Sequence, residues 1–408
     1  MSNSVSDPIA ILTSFVLLIV VGILVTLISK KVGISNILFL IIIGGILAEL
    51  NRWLVENGTG IELFVLPEMG MVILSIIALA LLVFEGASKF HVKMLDDFSV
   101  KALTLICLII GLNVLIVAPA VVWLFFGEWT LVFMLYAAMF AIIVAATDPA
   151  ALFYMLKGQN SKSIDFLEVE SIFNTPIIVI LPFLLLDFIQ SLQGDTAFVI
   201  SDYGVAFVNQ VIVGLGTGVL IGIVFLKTMK KFYDEEVSPL GIIAATLLAY
   251  VLAENLMGNG VISVAVLGFM FGHTYVARKE VLQKFNTMLG NSLEIIVYLL
   301  LGFIVSLNLP YMIYLKTLVV FLLIILARWI GIWAVLKNGT FNNKEKWFMT
   351  LNMPKGVAVA VMVFSLSLIE SRPLTELNNV LVIIIIYSVL LSTVVNKFSS
   401  KFINLKTS

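Results

Sequence analysis

Apolar stretches of about 18 residues or more recur along the whole chain, and they limit its fold more than any other feature. A stretch of that length crosses the hydrocarbon core of a bilayer as one α-helix. In lipid every backbone N–H and C=O needs a protein partner, so only helices and closed barrels can cross. A barrel would show segments of roughly ten residues with alternating polarity, and the chain has none. Thirteen candidate spans can be marked, at 9–29, 34–50, 65–86, 102–126, 129–156, 170–190, 205–226, 240–256, 261–276, 290–309, 312–336, 347–369 and 378–396. Of the 408 residues, 61% are apolar and 12% charged, against about 25% charged in soluble domains. The expected fold is an all-α integral membrane protein with thirteen transmembrane helices. The first span should be retained rather than cleaved, because Met1 to Ala10 holds Asp7 and no Lys or Arg.

Basic residues sort by side. Lys30 and Lys31 follow span 1, Lys89, Lys93 and Lys101 follow span 3, and Lys157 and Lys162 follow span 5. The connections after spans 7, 9, 11 and 13 are basic too. Only Arg52, Lys316 and Arg372 fall on the other side. The positive-inside rule then puts the N-terminus outside and the C-terminus in the cytoplasm, with the cell membrane as the expected location. Thirteen spans divide into six, a linker and six, which makes the two halves inverted. Inverted six-helix repeats around a midplane site are a recurring transporter plan. The net charge of −1 gives no basis for nucleic-acid binding. Cys107 is alone and cannot form an internal disulfide. His91 and His273 lack partners at ligand spacing, so neither a metal centre nor a cofactor is expected.

Several charges lie inside spans: Glu85, Asp148, Glu170, Glu254, Glu294, Arg328 and Lys355. Each costs about 2.5–3.5 kcal/mol at mid-bilayer, which marks an ion pathway or a paired structural charge. Asp148 sits in Thr147-Asp148-Pro149. Proline removes a backbone donor and breaks the helix, which frees carbonyls beside two side-chain oxygens. The competing reading is a proline kink with a locally satisfied Asp. Glu170, Ser171, Asn174 and Thr175 form one polar stripe at helical spacing, and Pro176 frees the carbonyl of Ile172. The competing reading there is interhelical hydrogen-bond glue. Met353-Pro354-Lys355-Gly356 interrupts span 12. Spans 5 and 12 are the fifth members of their halves, and paired interruptions of this kind point to a carrier site. Lys355 can balance carboxylate charge at the crossing, and Arg328 can pair with Glu170 or Asp148. Glu85 and Glu254 lie near span ends, where they can reach water.

These fragments, in this order, resemble the NhaP-type sodium/proton exchanger family. They are Phe84-Glu85-Gly86, Thr147-Asp148-Pro149, Glu170-Ser171 with Asn174, Ala253-Glu254 followed by Gly258 and Gly260, Arg328, and Lys355-Gly356. The resemblance implies a homodimer in lipid, an ion site where spans 5, 6 and 12 meet, and two helical parts. A dimerisation part would hold 9–86 and 240–309, and an ion-binding core 102–190 and 312–396, joined by the linker helix 205–226. It implies Thr147, Ser171 and Glu170 as cation-coordinating groups and Arg328 as the partner of Glu170. Lys355 stands where the family usually has arginine. The family continues Asn-Asp at the ion site, whereas Asn174 here is followed by Thr175, which does not titrate near neutral pH.

The expected function is exchange of Na+, or another monovalent cation, for H+ by alternating access. Asp148 or Glu170 would carry the exchanged proton, with Asn174, Ser171 and Thr175 as neutral ligands. The rival is a transport-impaired homologue or site variant, acting as a scaffold, sensor or trapped state, in which Thr175 has removed the exchange group. A channel lacks a carbonyl-lined filter sequence, and an enzyme lacks paired catalytic groups beyond the stripe.

Overall fold

A computed structural model describes residues 8–32, 35–57, 63–89, 97–148, 159–193, 200–274, 278–304, 309–337, 339, 341–403 and 406–407. In chain order the helices are α1 (Pro8–Val32), α2 (Asn36–Glu56), α3 (Glu68–Lys89), α4 (Asp97–Val121), α5 (Leu131–Ile143), α6 (Lys162–Gln193) and α7 (Ile200–Lys231). They continue with α8 (Ser238–Asn255), α9 (Gly260–His273), α10 (Lys279–Ile304), α11 (Tyr311–Val335), α12 (Asn343–Leu351), α13 (Val357–Ser367) and α14 (Arg372–Lys397). Among the described residues, the strand structure is a two-residue antiparallel pairing of Gln159–Asn160 with Lys406–Thr407.

Nine of the described helices are long and apolar enough to cross a membrane. The helices α5, α9 and α13, and the Ile177–Gln190 part of α6, are shorter apolar segments. The chain is a multi-pass, all-helical membrane protein. Its surface agrees with that setting, because Leu24, Leu115, Leu220 and Leu322 are exposed apolar side chains that water would penalise and lipid does not. The buried set instead contains Thr147, Glu170, Asn174, Arg328 and Lys355.

Helix ends follow local chemistry. Thr130 accepts from the Phe133 N–H to start α5, and Asn259 does the same for Ile262 at α9. Asn342 and Glu345 form a reciprocal capping box at α12. Continuing α4, a π-helical turn over Val122–Phe126 stops at Gly127, whose φ of 73° suits glycine. Several helices run past their apolar stretch. For example, α6 starts at Lys162, where the sequence places a span from 170. Hydropathy marks the lipid-facing length, and hydrogen bonding carries the helix further at its ends.

Among its described residues, span 5 is helical over Leu131–Ile143, and Val144–Asp148 is unwound. Its remaining residues, 149–156, lie outside the described residues. Span 12 is two helices, α12 and α13, separated by the non-helical stretch Asn352–Gly356. Both breaks fall where prolines place them.

Helix α2 packs along α10, and α3 along α9 and α10. Helix α9 also meets α7 and α8. On the other side α4 packs on α11, α5 and α6, and α14 packs on α11 and α13. Helix α13 also touches α3 and α10. The α2–α10 crossing is close because Gly44 faces the Leu299 carbonyl and Gly302 faces that of Ile41, leaving no room for a Cβ on either.

Candidate ion-binding site

The two breaks cross and close on each other. The Asp148 N–H donates to the Pro354 carbonyl at 2.9 Å. One Asp148 carboxylate oxygen accepts from the Val357 N–H at 3.3 Å, at the first turn of α13. In the other direction Lys355 Nζ donates to the carbonyls of Val144 at 2.5 Å and Ala146 at 2.8 Å, just past the end of α5. An anion thus sits at a helix N-terminus and a cation at a helix C-terminus, the placement that helix dipoles favour. The sequence left Lys355 free to balance a carboxylate. Its ammonium is instead bound by carbonyls, because the unwound turn leaves those oxygens unsatisfied inside the protein.

Gly356 makes the arrangement possible, since a Cβ there would overlap the Asp148 carboxylate. Gly356→Ala is expected to destabilise the purified protein by about 1–3 kcal/mol, the usual cost of overpacking. A thermal melt in detergent would register this as an earlier unfolding transition.

Arg328 settles the fate of Glu170. Its Nη1 and Nη2 donate to the two Glu170 oxygens at 2.8 and 2.9 Å, and its Nε donates to the Met349 carbonyl at 3.0 Å. Both side chains are buried, Arg328 at 2% and Glu170 at 1% exposure. This is a two-point, charge-assisted pair, and it takes up both oxygens of the carboxylate. Thr147 Oγ1 donates to Glu170 Oε1 at 3.1 Å, and Asn174 Nδ2 donates to Thr147 Oγ1 at 3.2 Å. The Asn174 Oδ1 is buried with no hydrogen-bond partner among the described residues. An unpaired buried acceptor of this kind suits a donor or a cation. The side chains of Thr175 and Pro176 lie outside the described residues, although α6 runs through both.

A cavity of about 310 Å³ lies beside the crossing. Thr147, Asp148 and Ser171 line it, and so do Glu85, Glu168 and Glu294. Glu85 also binds Lys89 Nζ at 2.7 Å. The sequence reading gave Glu294 no role and did not single out Glu168. The available signal for Glu294 was a carboxylate in an apolar span, but nothing local tells which cavity it meets. Glu254 accepts from the Gly260 N–H at 2.8 Å, and Asn259 donates to Asp187 at 3.0 Å, so that turn is held by side chains away from the crossing. His273 bonds a carbonyl of its own helix, and His91 lies outside the described residues. Among the described residues no group of three His, Cys, Asp or Glu could hold a metal ion.

Residues 15–397 match the family described as sodium/hydrogen exchanger, transmembrane. A K(+)/H(+) antiporter NhaP2 of Shewanella sp. strain ANA-3 is 26% identical over 358 residues, covering 85% of this chain and 59% of that protein. A K(+)/H(+) antiporter NhaP of Alkalimonas amylolytica is 25% identical over 293 residues, which is 71% of this chain and 48% of that one. A low-affinity Na(+)/H(+) antiporter NhaS1 of Synechocystis sp. is 33% identical over 135 residues, a third of this chain (33%) and 25% of that one. The chain thus spans about three fifths of the length of its NhaP2 relatives. In fold it is similar to the sodium proton antiporter MjNhaP1 of Methanocaldococcus jannaschii, with a TM-score of 0.73 at 20% identity, covering 95% of this chain and 97% of that one. The match over nearly the whole chain, on a helical frame with two crossed breaks, makes this chain a member of the sodium/hydrogen exchanger family.

Proposed function

We propose that this chain is a secondary antiporter that exchanges Na+ or K+ for H+ by alternating access. The observation that carries the reading is the Asp148 carboxylate, held at the crossing of two broken helices in the wall of a cavity. Such a carboxylate can hold a proton or a monovalent cation, and the two compete for the same oxygens. Asp148 carries the exchange. Thr147, Ser171 and Asn174 add neutral oxygens, with the Thr175 hydroxyl next in the stripe. Glu170 is held at two points by Arg328 and orients Thr147 through its remaining bond. No cofactor enters this mechanism.

The same reading takes the chain as thirteen crossings in two inverted sets of six, with the N-terminus outside and the C-terminus in the cytoplasm of a cell membrane. Lys89 and Glu168 at the cavity rim are exposed, and loop charge assigns that rim to the cytoplasmic side. The cavity then belongs to an inward-facing state. The parts 102–190 and 312–396 move against 9–86 and 240–309, with 205–226 as the link, and two copies pair in the lipid. The helix packing supports this division, with α13 at the seam.

The test is flux in vesicles holding the full chain and a pH-sensitive dye. An imposed Na+ or K+ gradient should drive protons the other way. No response to either cation would overturn the proposal. Thr175 favours a second reading, an impaired exchanger. The parent chain is expected to exchange already, with Thr175→Asp changing only its apparent cation affinity. A parent that is silent until Thr175→Asp is introduced would give the second reading the case.

A further inference from the structure

We propose that Glu294, in the middle of α10, is a second exchanging carboxylate of this cavity, binding the transported cation and releasing a proton as it does so. The inference rests on the antiport reading and adds a residue from the opposite set of helices. From Leu293 to Phe303, α10 is apolar except for Glu294, Tyr298 and Gly302. A carboxylate there is costly to insert and is kept where it is paired or works on an ion. Among the described residues Glu294 has no pairing partner. Its carboxylate makes no hydrogen bond or ion pair to any described residue, and it lines the cavity that Asp148, Thr147 and Ser171 also line.

Two other carboxylates nearby are committed. Glu170 is held at two points by Arg328, and Glu85 is bound to Lys89. The charged groups acting on Glu294 are Asp148 from the α5 break and Glu85 and Lys89 from α3. Glu168 of α6 stands at the exposed rim. Lys355, just before α13, is spent on carbonyls. The remaining neighbours α1, α2 and α8 keep their charges near their ends, at Lys30 and Lys31, at Glu49, Arg52 and Glu56, and at Glu254. The cavity therefore holds an excess of carboxylates over cations. Gly290, one turn before Glu294, has no side chain, and this lets the Glu85 carboxylate lie against α10. Facing carboxylates repel when all are ionised, and a proton or a monovalent cation relieves that repulsion.

The step balances. A cation entering the cavity forms an ionic contact with a Glu294 oxygen, the O–H bond of the protonated acid breaks, and the proton leaves to water. On the other side of the membrane the same steps run in reverse.

The experiment uses the full chain twice, in vesicles for cation-driven proton flux and in detergent for proton release on adding NaCl or KCl. Glu294→Gln is expected to lower flux by roughly 100-fold or more, the scale of losing a proton-transferring group, and to reduce the protons released per cation bound. Glu294→Asp should retain both and move their pH midpoint. Flux and release in Glu294→Gln equal to the parent would overturn the proposal and leave the antiport reading standing. A parent without flux would remove the antiport reading, and proton release would then decide alone: release lost in Glu294→Gln supports the assignment, and equal or no release overturns it. If Glu294→Gln does not fold, an unmoved midpoint in Glu294→Asp is the overturning result.

Discussion

Asp148→Asn should bring cation-driven proton flux down to that of empty vesicles while the protein stays folded. Asparagine keeps the size of the side chain and an oxygen that can accept from the Val357 N–H. Under the antiport proposal, it removes the charge that would attract the cation and the group that would carry the proton. The structural loss is small by comparison. A charge at a helix N-terminus contributes about 0.3–1 kcal/mol, and up to about 2 in partly buried geometries. A detergent melt should therefore move little while flux disappears. That split separates a transport role from a structural one. Undiminished exchange in Asp148→Asn would remove Asp148 from the mechanism.

The second large effect is on stability. Arg328→Ala leaves the Glu170 carboxylate buried with, among the described residues, only Thr147 bonded to it. Breaking one side of a buried ion pair typically costs about 3–5 kcal/mol, because the remaining charge is uncompensated. Arg328→Ala should melt far earlier than the parent, and Arg328→Lys should fall between them, since an ammonium cannot reproduce the two-point geometry. Adding Glu170→Gln to Arg328→Ala should recover much of the loss, because a neutral amide no longer needs a countercharge. If the double variant is as unstable as the two single losses added together, the pair is not coupled as its 2.8 and 2.9 Å bonds indicate.

Much of the frame could be read before any coordinates. The apolar stretches locate the helices, because a backbone in lipid has to satisfy itself locally. The breaks at Thr147-Asp148 and Pro354-Lys355 could also be read, because proline and a mid-span charge are local marks. The polar stripe from Glu170 to Asn174 follows from helical spacing alone, and Arg328 was narrowed to two partners. Helix ends were less legible. The capping of α12 by Asn342 and Glu345, and the early start of α6 at Lys162, lie in polar sequence that hydropathy does not resolve.

What the sequence by itself determined is the all-helical membrane frame, the two broken helices and the polar stripe beside them. Each of these depends on a chain segment and its own environment. Tertiary structure decided which charges meet. Arg328 takes Glu170 across 158 residues of chain, and Lys355 reaches Val144 across 211. Glu294 shares a cavity with Asp148 through the packing of α10 against α13. No local pattern encodes those choices. A buried charge takes whichever partner the packed helices bring within hydrogen-bond distance, and desolvation makes any other outcome costly.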